Sequence, residues 1–387
     1  MKKSLLALLT ASLVLLGTAC GGPNSSSSSS ASGSESSAET TVAESSSAAG
    51  TMKAIAKEDL KVGFVYVGPI NDEGYNQAQD KGRLALNELG IETMYRESVP
   101  ENADAEKAIR DLIDQGCNVI YATSYGFMDY TLKVAEEYPD VYFGHCSGYK
   151  TADNMSTYFG KVEEPRYLSG IVAGMKTQSN KIGYVAAMQL PEVIRGINAF
   201  TLGVQSVNPD ATVEVVWTNT WGDPAVEKQA ALELLNKGCD VMAQHQDSTA
   251  TQIAAEEKGA FAIGYNTPTP NAAPKAYLTA PLFHWDTFIV DDVQNIMDGT
   301  WTSRKYWEGL ESGMVSLDDL TANCAEGSQE AVDATLKKIE SGDLKVFAGP
   351  IADQNGEVKV AEGSAMTDDE VWSMNWFVKG VIGNIDA

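Results

Sequence analysis

Histidine is scarce in this chain: His145, His245 and His284 are the three in 387 residues. No GxSxG, HExxH or P-loop pattern accompanies them, which removes the common hydrolase, zinc-protease and phosphate-loop signatures. Five cysteines occur, none at CxxC spacing, so neither a zinc site nor a dithiol redox site is expected. Lys and Arg number 28 against 53 Asp and Glu, a formal net charge of −25. That balance disfavours nucleic acid and anionic lipid as partners; its simplest effect is solubility. The apolar run Leu5–Leu16 is shorter than the roughly 18 residues a membrane-crossing helix needs, and no other segment reaches that length. No cofactor and no catalytic residues are expected.

What is present begins at the N-terminus. Met1-Lys2-Lys3 precedes the apolar run, and LLGTACGG follows it. The pattern resembles a bacterial lipoprotein signal in which Cys20 becomes the lipidated residue, although Gly17 stands where leucine is usual. Residues 1–19 are then a signal peptide. Residues 20–56, rich in Ser, Ala, Gly, Thr and Glu, form a flexible tether, because they bury too little apolar surface to offset chain entropy. The expected location is the outer face of a cell membrane.

The rest of the chain repeats itself. Lys61–Val67 (KVGFVYV) reappears as Lys181–Ala187 (KIGYVAA), Ala105–Ala108 resembles Val226–Gln229, and Gly116-Cys117 returns as Gly238-Cys239. The offsets, 120, 121 and 122 residues, run in order and mark two copies of one unit. In each copy short β-branched runs alternate with segments of helical periodicity, such as Ile109, Leu112 and Ile113. This predicts two doubly wound parallel-sheet α/β lobes with a cleft between them. Cys117 and Cys239 each open an apolar strand and read as buried small hydrophobes. The lobes are placed at 57–178 plus about 281–308, and 179–280 plus about 309–387.

Ligands of open parallel sheets sit beyond the carboxyl ends of the strands. The segment QHQDS (244–248) follows a strand, so its polar residues are expected to face the cleft. Collecting strand ends gives Asp72, Tyr75 and Asn76; Tyr125, Phe127 and Asp129; Trp221; Asp247; Asn266; and Trp285. Several have structural alternatives. Asp72 can cap a helix, Asp129 can lie on a solvated face, Trp285 can be core, and Asp223-Pro224 reads as a helix start. Aromatics and acceptors dominate, and Lys and Arg are rare. A flat ligand that stacks and donates N–H groups to carboxylates fits this set, a nucleobase first and a sugar second.

The segments GPINDEGYNQ, VAEEYPDVYFG, YLSGIVAGM and NTWGDPAVEKQAA resemble the basic membrane protein family of substrate-binding lipoproteins of ABC importers. The resemblance covers the chain after the tether. It implies a type I periplasmic-binding-protein fold, a purine base or nucleoside as ligand, and permease and ATPase subunits as partners. The family's ligand-contacting positions fall on Asp72, Tyr75, Trp221, Asp247 and Gly264, with Asp129 a weaker match. Nucleoside binders of the family commonly carry a Lys where this chain has Phe283-His284-Trp285-Asp286. Its absence favours a free base, with Trp285 filling the space of a ribose. Capture would proceed by lobe closure on a monomer. The rivals are a sugar-binding protein of the same fold, an extracellular sensor module and, least favoured, a secreted hydrolase.

Overall fold

The computed structural model describes residues 52–385; the signal peptide, Cys20 and the tether through residue 51 lie outside them. The repeated Lys-initiated runs become equivalent strands. β1 (Lys61–Val65) and β6 (Lys181–Ala186) are buried from their second residue onward, as expected of parallel strands covered on both faces. Four further strands complete the first unit: β2 (Glu92–Arg96), β3 (Val119–Ala122), β4 (Tyr142–Cys146) and β5 (Met155–Gly160). The second unit repeats them as β7 (Thr212–Trp217), β8 (Val241–His245), β9 (Phe261–Ile263) and β10 (Tyr277–Thr279).

Three strands that follow are β11 (Pro281–Phe283), β12 (Lys305–Glu308) and β13 (Val315–Leu317). Then come β14 (Ile351–Ala352), β15 (Val358–Val360) and β16 (Val381–Ile382). The first lobe's parallel sheet runs β12-β5-β4-β3-β1-β2; the second runs β10-β9-β8-β6-β7-β16. The shared order places β1 beside β3 and β6 beside β8. The crossover connections leave in opposite directions at these points, which is where a doubly wound sheet opens a crevice.

Helices cover both sheets. They are α1 (Tyr75–Glu88), α2 (Ala103–Asp114), α3 (Met128–Glu137), α4 (Glu163–Lys176), α5 (Pro191–Val207), α6 (Pro224–Asn236), α7 (Ala250–Glu257), α8 (Trp285–Asp298), α9 (Ser328–Glu340) and α10 (Asp368–Trp372). Their starts follow side-chain chemistry. The Asn102 side chain accepts from the Asp104 N–H at 2.8 Å. Asp223 accepts from the Ala225 and Val226 N–H groups, with Pro224 opening α6. Cys117 and Cys239 are buried, and the four described cysteines are unpaired.

The chain crosses between lobes after β5, through β11, and between β12 and β13. β11 and β13 pair antiparallel, Leu282 opposite Ser316. Two sequence boundaries move. A first-lobe limit at 178 would include α4, yet Leu168, Ile171, Val172 and Ala173 of α4 sit in one core cluster with Ile197, Phe200 and Val204 of α5. Gly170 and Gly203 permit this approach: a β-carbon on Gly170 would lie 2.1 Å from the Phe200 carbonyl oxygen. The tether also ends before 56. Met52 and Ile55 pack on the first lobe, and the Tyr142 hydroxyl donates to the Lys53 carbonyl at 2.7 Å.

Candidate functional site

The crevice between the lobes holds a narrow, partly closed cavity. From the first lobe it is lined by Val67, Tyr75, Ser124, Tyr125, Ser147 and Phe159; from the second by Glu192, Trp221, His245, Asp247 and Tyr265. Measured as room for the centre of a water-sized sphere, its volume is about 20 Å³. The space is a narrow slot, closed down to the room of about one water.

Each wall is fixed from behind. Tyr75 begins α1; its hydroxyl donates to the Thr123 carbonyl and accepts from Gln79 Nε2 at 3.1 Å. The Tyr265 hydroxyl meets His245 Nε2 at 3.1 Å, and the buried Arg166 guanidinium lies 3.9 Å over the Tyr265 ring. Burial, then the charges of Arg166 and Arg195, hold the His245 pKa well below its ordinary value. The Asp247 N–H donates to the Trp221 carbonyl at 3.0 Å, tying together the loops that follow β7 and β8.

Two acids face the slot. Burial pushes the Asp247 carboxyl well above the usual range, and Asp72, Glu227, Glu192 and Glu101 add to the shift. Burial likewise raises Glu192 to about 7, against the pull of Arg195. Neither Lys nor Arg lines the slot among the described residues. The chemistry offered is therefore acceptor-rich and aromatic, and a partner supplying N–H or O–H donors would satisfy it.

The lobes meet around this slot. Thr267 Oγ1 donates to the Glu73 carbonyl at 2.8 Å, and Thr249 Oγ1 reaches the Glu73 carboxylate at 3.4 Å. Trp221 Nε1 donates to Glu101 at 3.3 Å. Glu73, Ser147, Asn219 and Asn266, all near the cleft, adopt positive φ. Such conformations cost non-glycine residues and gather at clamps and switches.

Of the residues expected from sequence, Tyr75, Tyr125, Trp221 and Asp247 line the slot; the others lie elsewhere. Asp72 is the anchor of α1: its carboxylate accepts the Gly74, Asn76 and Gln77 N–H groups and the Asn76 side chain. Asn76 in turn accepts the Gly68 N–H at 3.0 Å. Phe127 is fully buried in the first-lobe core, because the short helical turn Tyr125–Phe127 points successive side chains in different directions. Asp129 is solvent-facing and pairs with Lys150 at 2.6 Å.

Trp285 is also core, stacked on Phe283 at 4.4 Å and edge-on to Tyr75 at 5.9 Å. It is not among the residues lining the slot and packs behind Tyr75 and Phe159. The Gly264 N–H donates to Thr279 within the second sheet, and a β-carbon there would meet Tyr277 at 2.7 Å. Asn266 is buried at the crossover, bridged to Leu282. Its side-chain amide has no hydrogen-bond partner among the described residues.

Sequence reasoning missed Glu192, Phe159, Tyr265 and Glu101. Glu192 follows the first strand of the second repeat, as Tyr75 follows that of the first, so the repeat itself carried the signal. Gln244 and Gln246, part of the polar strand end, serve the turn: Gln244 Nε2 donates to the Ser248 carbonyl at 2.7 Å and Gln246 Nε2 to Thr218 Oγ1 at 2.6 Å.

Comparison with known proteins places this geometry. The family model for PnrA-like ABC transporter substrate-binding proteins, Bmp, matches residues 59–346. The purine-binding protein BAB2_0673 of Brucella abortus is 41% identical over 331 residues, 85% of this chain and 94% of that one. TsgA13 of Haloferax volcanii, named for glucose binding, is 35% identical over 333 residues, 85% of this chain and 82% of its own. A solute-binding protein of an ABC transporter system from Aeropyrum pernix superposes with a TM-score of 0.66 at 21% identity, covering 75% of this chain and 94% of that one. That last likeness concerns the two-lobed fold. No helix among the described residues is long and apolar enough to cross a membrane. By the family match and the identity to its relatives, this chain belongs to the Bmp family of ABC transporter substrate-binding proteins.

Proposed function

We propose that the slot captures a purine nucleobase or nucleoside, adenine-like in its donors, for delivery to a permease. The observation that carries this reading is the composition of the slot: rings of Tyr75, Tyr125, Phe159, Trp221 and Tyr265 around the carboxyls of Asp247 and Glu192, with no Lys or Arg lining it among the described residues. A purine offers a π-face to the rings and N–H donors at its edges. The 41% identity to a protein named for purine binding supports the same class.

Capture rests on lobe closure. The base meets one lobe, and closure brings the second set of rings and carboxyls onto it and excludes water. Ligand shifts the equilibrium toward the closed form by its differential affinity for that form. Membrane attachment through a lipid on Cys20 would hold the domain near the permease; one acyl chain binds marginally and several bind firmly. Cys20→Ser releasing the protein to the soluble fraction supports the anchor, and unlipidated wild type in the native host contradicts it.

A sugar is the second reading, because rings and carboxyls also suit hydroxyl donors and one relative is named for glucose binding. Mass spectrometry of small molecules released from purified, denatured protein separates the two. A purine supports the first reading; a hexose in its place replaces it with the second.

A further inference from the structure

Tyr125, Ser147 and Glu192 line two cavities at once. One is the slot; the other is a wider, solvent-open pocket that shares these residues with it. Measured as room for the centre of a water-sized sphere, the outer pocket holds about 410 Å³ against about 20 Å³ in the slot. The outer pocket is the roomier of the two and has space for a bulky group as it stands.

The outer walls are mainly apolar: Tyr149, Leu190, Pro191 and Trp372. Trp372 is held in place at the end of α10. It packs edge-on to Trp307 at 4.9 Å, and the Arg195 guanidinium lies 4.9 Å over its ring. The start of α10 is fixed by a capping box between Thr367 and Glu370. Tyr149 keeps 47% of its surface exposed, which leaves an aromatic face available to a ligand. Arg195, Asp369 and Ser373 add polar groups to the outer lining.

We propose that the outer pocket is a second compartment of the ligand site, taking an apolar substituent on the exocyclic amine of a purine held in the slot. The inference rests on the purine reading above. Glu192 stands at the junction of the two spaces, where its carboxyl can accept the remaining N–H of a substituted amine. A ribosyl group suits the outer pocket poorly, because its hydroxyls would lose water against apolar walls; an alkyl or aryl group gains by the same burial.

Calorimetry with adenine and N6-benzyladenine tests this on the wild type and two variants. Ser373→Trp fills the outer pocket, and Tyr149→Ala removes one of its walls; neither residue lines the slot. Wild type is expected to bind both compounds, the benzyl derivative at least as tightly. Ser373→Trp should weaken the benzyl compound tenfold or more and Tyr149→Ala about threefold, with adenine within twofold of wild type in each. A wild type that binds adenine and rejects the benzyl compound overturns the second compartment. So does benzyl binding that both correctly folded variants leave unchanged. A wild type that binds neither compound strikes the purine reading itself, and the inference with it.

Discussion

The α-carbon of Gly74 faces the carbonyl of Asp247 across the cleft so closely that a β-carbon there would sit 2.1 Å from the oxygen. Gly74 belongs to the first lobe and Asp247 to the second, so this contact exists only when the lobes are together. The residue before it, Glu73, has φ of 60° and turns its carbonyl toward Thr267. The turn between β1 and α1 is therefore shaped to receive the loop after β8. Gly74→Ala should leave each lobe folded and hold the lobes apart. Ligand affinity should fall about tenfold or more, some 1.4 kcal/mol, and the radius of gyration with ligand present should stay at its ligand-free value. Unchanged affinity in calorimetry would show that closure does not use this contact.

Trp221 carries two separable contributions. Its ring lines the slot, and its indole N–H donates to Glu101 of the other lobe at 3.3 Å. Glu101 is itself oriented by Ser124 Oγ at 2.6 Å and the Gly126 N–H at 2.8 Å. Removing the ring in Trp221→Ala should cost roughly 1–3 kcal/mol of stacking, about a ten- to hundredfold loss. Trp221→Phe should recover much of it, because a π-face remains while the bridge to Glu101 does not. Equal losses in both variants would assign the effect to the bridge alone.

Glu227 predicts a pH dependence of stability. It is fully buried in the second lobe, accepts from Ser248 Oγ at 2.5 Å and from the Asp223 N–H at 3.1 Å, and burial raises its pKa from 4.5 to about 7. Between those values the folded state holds a proton that the unfolded state has lost, so stability falls as pH rises through this window and levels off above it. The slope from one such group is at most about 1.4 kcal/mol per pH unit. Glu227→Gln should flatten that part of the curve in denaturant titrations between pH 5 and 7. A slope identical to wild type would mean that Glu227 is ionised throughout.

Fold and site were not equally legible. The repeat of Lys61–Val67 at Lys181–Ala187 pointed to duplicated parallel sheets, because strand periodicity and Gly-Cys turns are local properties of the chain. Strand ends then pointed to Tyr75, Tyr125, Trp221 and Asp247. What sequence could not supply was direction. Phe127 and Tyr125 share one helical turn, and only tertiary packing sends the first to the core and the second to the slot. Trp285 and Phe159 are both aromatics near crossovers, one behind the wall and one in it. Asp72 shows the limit most plainly, since a helix anchor and a ligand acceptor need the same residue type at the same place. The α4 boundary was hidden because an apolar helix between two similar lobes fits either; the close approach at Gly170 decides for the second.

Asp247 is where the account is most exposed. Its carboxyl is buried in the slot among acids and aromatic rings, a placement whose cost a donor-bearing ligand would offset. Isothermal calorimetry of wild type and Asp247→Asn, with adenine, hypoxanthine, ribose and glucose, measures this directly. The account predicts that the purines bind wild type, that ribose and glucose do not compete, and that Asp247→Asn weakens the purines by about 1.5–3 kcal/mol with the fold intact. Displacement of bound ligand by glucose or ribose but not by purines, or purine affinity unaltered in Asp247→Asn, would contradict it.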